Sequence, residues 1–235
     1  MIKAVLFDLD GTLLPMDQDK FLKAYFGGIS SHLAPYGYEP VALIKSIQKG
    51  TLAMLTNDGT RTNECAFWNA FTSVWGEGAR NDEKYFDEFY SEKFPSVKSS
   101  CACNPKSREL IDLLHQKGIK TALATNPLFP AVATHERIRW AGLRLDDFEI
   151  ITTYENSCYC KPNPEYYKAV ARAIGVSPEE CLMVGNDVSD DMPARTLGMQ
   201  VFLLTECLIN AKSEDISKYP NGDFDALFDL INKQL

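Results

Sequence analysis

The sequence predicts an α/β fold, a doubly wound parallel sheet with an inserted α-helical domain. From about residue 105 to the C-terminus, short apolar runs alternate with helical patterns, which indicates strands joined by crossover helices in a parallel sheet. The N-terminal run Ile2-Lys3-Ala4-Val5-Leu6-Phe7 supplies a first strand far upstream of those units. Between the two, residues from about 15 to 100 place apolar side chains only at helical spacing, as in Phe21, Ala24 and Tyr25 or Phe67, Ala70, Phe71 and Val74.

In chain order, the first strand spans residues 2–9. The helical segment follows, and its apolar positions include Val41, Ile44, Ile47, Phe86, Phe89 and Tyr90. It holds 14 of the 26 aromatic residues, enough for a compact bundle core or a substrate-facing wall. A helix ending at Lys117-Gly118, with glycine as C-cap, precedes a strand at 119–125. Residues 130–141 read as a helix, 148–152 as a short strand and 164–174 as a helix closed by Gly175. Ser177-Pro178-Glu179-Glu180 has the chemistry of a helix start. Then come a strand at Cys181–Gly185, a helix at 191–197 ended by Gly198, and a strand at Gln200–Leu204. The last helix carries Phe224, Leu227, Phe228 and Ile231 on one face. The division predicted is a core of residues 1–14 plus 100–235 and a helical cap of residues 15–99.

Composition narrows the function classes. The 235 residues are 45% hydrophobic and 24% charged, with a net charge of -8, the balance of a folded globular protein. That charge gives no basic footprint for nucleic acid or an anionic membrane. No run approaches the roughly 20 apolar residues that cross a bilayer. Seven cysteines, an odd number in a chain too large to need staples, read as reduced thiols in the cytoplasm.

Ligands of parallel open sheets bind beyond the carboxyl ends of the strands. There the sequence places Asp8 and Asp10, then Thr125 and Asn126, then Lys161 before Pro162, then Asn186, Asp187, Asp190 and Asp191. A hydroxyl, a cation and four or five carboxylates thus converge on one sheet edge. Like charges so gathered are unfavourable without a metal or counter-charge. Any one of them alone reads as a helix cap or solvated turn; the set of four strand ends does not.

These segments resemble the haloacid dehalogenase superfamily, most closely its Mg²⁺-dependent phosphatase branch. Asp8-Leu9-Asp10-Gly11-Thr12 matches the first motif, Thr125 the second, Lys161-Pro162 the third, and Asp187 with Asp191 the acidic fourth. The helical insert after the first motif is similar to the family's common cap. In the fourth motif, Asn186 stands where many members place an acid directly after the glycine. The metal ligands are therefore expected at Asp187 and Asp191, with Asn186 and Asp190 as alternatives. The resemblance implies a nucleophilic Asp8 that forms an aspartyl phosphate, and Asp10 as acid and base. It also implies phosphoryl contacts from Thr125, Asn126 and Lys161, and a sharp turn at Gly11. Mg²⁺ would be held by Asp8, the Asp10 carbonyl and Asp187, with Asp191 acting through water. The expected substrate is a small phosphorylated metabolite.

Weaker signals were weighed beside these. Cys101/Cys103 and Cys158/Cys160 form two Cys-x-Cys pairs, but zinc sites usually have two to four intervening residues. His32, His115 and His135 read as exposed helix residues, and Arg61 as a solvated one. Two rival functions remain open at this point: a phosphoryl transferase similar to the beta-phosphoglucomutases, and a binding module like the receiver domains. The receivers are about half this length and lack a helical insert. Carbon–halogen displacement is disfavoured because it needs neither Asp10 nor a metal.

Overall fold

In the computed structural model, which describes residues 1–234, four helices follow the first strand, β1 (Ala4–Phe7). They are α1 (Gln18–Leu33), α2 (Pro40–Leu55), α3 (Asn63–Trp75) and α4 (Glu83–Glu88). Short π and 3₁₀ turns carry the chain on to Ser100. After them come α5 (Pro105–Gln116), β2 (Lys120–Leu123), α6 (Ala131–Trp140), α7 (Pro164–Ala173), β3 (Cys181–Gly185), β4 (Gln200–Leu204), β5 (Asn221–Gly222) and α8 (Phe224–Gln234). The strands form one parallel sheet in the order β2-β1-β3-β4-β5.

The strands are short and almost wholly apolar because both faces of the sheet are covered. Ala4 and Leu6 pack against Tyr166, Tyr167 and Val170 of α7. Val5 and Phe7 face Leu110 and Leu114 of α5 and Phe224 and Leu227 of α8. Phe7 pairs with Leu123 on one side and Val184 on the other, so three strands end level. From β1 the chain winds to β2 on one side and later to β3 on the other. The exit of β1 is therefore the switch point where such sheets bind ligands.

The helical segment leaves and returns together: Met16 bridges Cys101, and the Ala102 N–H donates to the Pro15 carbonyl at 2.8 Å. Its aromatic core runs unbroken into that of the sheet. Phe94 stacks on Trp140 of α6 at 5.2 Å, and Phe21 meets Phe129 edge-on at 6.1 Å. A second tie lies at the start of α3. There the Asn63 N–H donates to Ser157 and the Glu64 N–H to Tyr154, each at 2.8 Å. Asn63 is fully buried, and its side-chain Nδ2 donates to the Pro127 carbonyl at 3.2 Å and Cys160 Sγ at 3.3 Å.

Several local expectations are corrected. Residues 148–152 make a single bridge, Ile151 to Leu123, rather than a strand. The backbone still runs alongside β2, the Glu149 N–H donating to the Thr121 carbonyl and the Leu123 N–H to that of Ile150, each at 2.9 Å, and the Thr152 N–H to that of Leu123 at 3.0 Å, but the pairing is too short to make a strand. The segments at 177–180 and 191–197 are 3₁₀ turns, Pro178–Glu180 and Met192–Leu197, each with a proline near its start. The two-residue β5 has no pattern long enough to be seen in sequence. His115 is exposed as expected, but His32 and His135 are half-buried. Arg61 is exposed, and the seven cysteines are free thiols.

Candidate active site

Asp8 leaves β1 with its N–H bonded to the Val184 carbonyl at 2.9 Å. The chain then turns back on itself, the Leu14 N–H reaching the Leu9 carbonyl at 2.9 Å and the Gly11 N–H the Leu14 carbonyl at 2.8 Å. Gly11 has φ +84°, and a Cβ there would lie 2.3 Å from Asn186 Nδ2. Only glycine meets both demands. Asn186 is a strut: its Oδ1 accepts from Thr12 Oγ1 at 2.9 Å and its Nδ2 donates to the Cys207 carbonyl at 2.7 Å. With both ends of its amide occupied, Asn186 braces two loops.

Lys161 is 1% exposed, and its Nζ donates to Asp8 at 2.9 Å and Asp191 at 2.7 Å. Burial pulls most strongly on this ammonium and would lower its pKa, but Asp191 and Asp8 together outweigh it and leave it raised. One cation is thus shared by two carboxylates. Burial pushes Asp191 up to about 7 against the opposing pull of Lys161. Asp191 can sit so close to the sheet because Gly185 has no side chain; a Cβ there would lie 2.1 Å from the Asp191 carboxyl carbon. Its second oxygen accepts from the Asp187 N–H at 2.9 Å. Asp191, expected as a ligand beside Asp187, therefore has both oxygens engaged. Asp187 itself caps the next turn, its Oδ1 accepting from the Ser189 N–H at 2.7 Å and the Asp190 N–H at 3.1 Å.

Asp10 forms an ion pair with Arg137 of α6. Arg137 is 1% exposed; its Nη2 also donates to Thr134 Oγ1 at 3.2 Å, and its guanidinium lies 4.5 Å from the Phe129 ring centre. Burial raises the Asp10 pKa, Arg137 opposes this, and the neighbouring Asp8 adds to the rise. Arg137 was not read as a site residue. It lies in a charged stretch with Glu136 and Arg139 that reads as a solvated face, and its only sequence signal is the position four residues after buried Ala133.

Asp8, Asp10, Thr125, Asn126, Lys161, Asp187, Asp190 and Asp191 line one cavity of about 210 Å³, and Gly11 lies beside Asp10 in the wall of the next. Asn126 Nδ2 donates to Asp190 Oδ2 at 3.0 Å. Asp190 is raised by burial and by Asp187. Two acceptors, Asp10 Oδ1 and Asn126 Oδ1, are buried without a hydrogen-bond partner. Such atoms call for a donor or a cation. The all-oxygen donor set fits a hard divalent ion. Among the described residues no three Asp, Glu, His or Cys side chains form a preassembled metal cage.

The family model for haloacid dehalogenase-like hydrolases matches residues 2–196. The chain belongs to that family. YhcW of Bacillus subtilis, provisionally named a phosphatase, is 26% identical over 87% of this chain and 84% of its own. The phosphoglycolate phosphatase of Rhodospirillum rubrum is likewise 26% identical, over 87% of this chain and 80% of its own. The crystal structure of a 2-haloacid dehalogenase from Pseudomonas syringae matches with a TM-score of 0.66 at 21% identity, each chain covered in full; that likeness concerns the fold. The expected enzyme class, a phosphatase of this superfamily, is borne out at the level of family and relatives. Among the described residues no helix is long and apolar enough to cross a membrane.

Proposed function

We propose that the protein is a Mg²⁺-dependent phosphatase that hydrolyses a small phosphorylated metabolite through a phosphorylated Asp8, with residues 15–99 acting as its cap. The observation that carries this is the pairing of two unlike carboxylates on one turn, Asp8 held by Lys161 and Asp10 held by Arg137, over a single cavity. Asp8, Asp187 and the main-chain carbonyl of Asp10 would hold the ion, which when bound neutralises the repulsion between carboxylate and phosphate dianion. Asp8 attacks phosphorus; the ester P–O bond breaks, and the departing oxygen takes its proton from Asp10. Asp10 then accepts a proton from water as that water attacks the same phosphorus, and the Asp8–phosphorus bond breaks to release inorganic phosphate. The raised pKa of Asp10 suits a group that must carry a proton at the start. Thr125 and Lys161 hold phosphoryl oxygens, and Asp191 keeps Lys161 in place. The test is a screen of phosphate monoesters with Mg²⁺ and with chelator. Turnover that disappears with chelator and returns with Mg²⁺ is expected; turnover that survives thorough chelation removes the metal from the reading.

A further inference from the structure

A second cavity, of about 340 Å³, adjoins the first and shares Leu22, Leu128 and Phe129 with it. Its wall is built from helices α1 to α4, Tyr90 and the 128–130 and 154 segments, and it is mostly aromatic and aliphatic, with Gln48 and Thr51 as uncharged polar side chains beside the tyrosines. Among the described residues no Lys, Arg or His lines it, and its one charged residue is Asp87, whose pKa is raised chiefly by burial. Tyr25 and Tyr90 bond to each other through their hydroxyls at 2.8 Å, and burial pushes Tyr25 up to about 12, so this pair stays neutral. Three leucines of the wall reach solvent: Leu22 is 38% exposed, Leu55 43% and Leu52 60%. Scattered exposed leucines need no explanation, but a cluster around one opening marks a binding surface.

We propose that this chamber receives the alcohol portion of the substrate, and that the preferred substrates are phosphate monoesters of neutral, apolar alcohols, aryl or alkyl. The inference rests on the phosphatase reading and names its substrate class. The adjacency of the two cavities carries it: with Leu22, Leu128 and Phe129 lining both, an ester whose phosphate sits by Asp8 would direct its alcohol portion toward the chamber. Charge carries it further. Across both cavities the one lining cation among the described residues is Lys161, already shared by Asp8 and Asp191. A second anionic group, such as the carboxylate of phosphoglycolate, meets only Asp87. A polyhydroxylated sugar would exchange water for a mostly apolar wall whose polar groups are Gln48, Thr51, Asp87 and the tyrosine hydroxyls, too few to pair all of its own.

The test uses esters of primary alcohols so that leaving-group reactivity stays nearly constant: n-alkyl phosphates from ethyl to octyl and benzyl phosphate, against glycerol 1-phosphate and phosphoglycolate. Each added methylene should raise kcat/KM about fourfold until the chamber is full. Non-hydrolysable alkylphosphonates should bind with a negative heat-capacity change that grows with chain length. Leu52→Lys, a substitution at an exposed position, should lower kcat/KM for octyl phosphate at least about tenfold and raise it for phosphoglycolate. If glycerol 1-phosphate and phosphoglycolate are hydrolysed as fast as octyl phosphate, the phosphatase reading stands and the chamber assignment falls. If no ester in the series is hydrolysed, both fall.

Discussion

On one side of Leu22, Leu128 and Phe129 lie five carboxylates and a buried lysine; on the other lie mostly aromatic rings and aliphatic chains, with Gln48, Thr51 and a single aspartate among them. The first cavity is built at the ends of strands, where register fixes each side chain against its neighbours. The second is built between helices, where packing alone sets the shape. Chemistry of the first kind needs particular residues in a particular order. Recognition of the second kind needs only apolar bulk at the right places, and many sequences supply that. A shared fold can therefore keep its reaction while its substrates change.

The largest effect that would break this contrast is at Asp8. Asp8→Asn should lower turnover about 10⁴–10⁶-fold for every substrate, whatever fills the apolar chamber, and no phosphorylated protein should form. A variant that keeps substrate-dependent turnover would show that the two cavities do not divide chemistry from recognition. Asp10→Asn comes next. It should cost about 10²–10⁴-fold with alkyl esters and much less with aryl phosphates, which leave without a proton. In the aryl case phosphate should accumulate on Asp8, visible by mass spectrometry of the quenched protein. Arg137→Met should give a smaller loss of the same pattern, about tenfold to 10²-fold, because Asp10 stays but loses its hold. A uniform loss across leaving groups would make Arg137 a packing residue only.

A weaker effect appears in stability. Burial raises the Asp191 pKa to about 7 in the folded protein, whereas in the unfolded chain the group titrates in the ordinary carboxylate range. Between those limits the native state binds more protons, so stability should fall as pH rises from about 4 to 7. Urea midpoints across that range measure the slope, and Asp191→Asn should flatten it. Asn63→Ala, remote from both phosphate and leaving group, should cost about 1–3 kcal/mol in unfolding free energy while sparing the leaving-group dependence.

The strand-end residues Asp8, Asp10, Thr125, Lys161 and Asp187 were legible because a tight turn, a strand and a short loop each carry one conspicuous polar residue against an apolar background. The helical insert was legible from its spacing. Arg137 was hidden because charge in a helix reads as surface, and its burial follows from an ion pair 127 residues away. Asn63 was hidden for a like reason: at the first position of α3 an asparagine reads as solvated, yet its partners come from two other loops. The apolar run at 148–152 does lie alongside β2 and bonds to it through the backbone, but it pairs over too few residues to count as a strand, a length no apolar pattern reveals.

The tie at the start of α3 also sets a clock. For α3 to swing clear of the sheet, two main-chain hydrogen bonds and the buried amide of Asn63 must all let go. At about 1 kcal/mol net apiece, and with the packing of Phe67 against Tyr154 to break as well, fewer than about one molecule in a hundred is released at any instant. Cys160, gripped by Asn63, immediately precedes Lys161, the cation beside Asp8. Native-state hydrogen exchange at Asn63 and Glu64 would read that fraction directly, as protection well below that of the β1 and β3 amides.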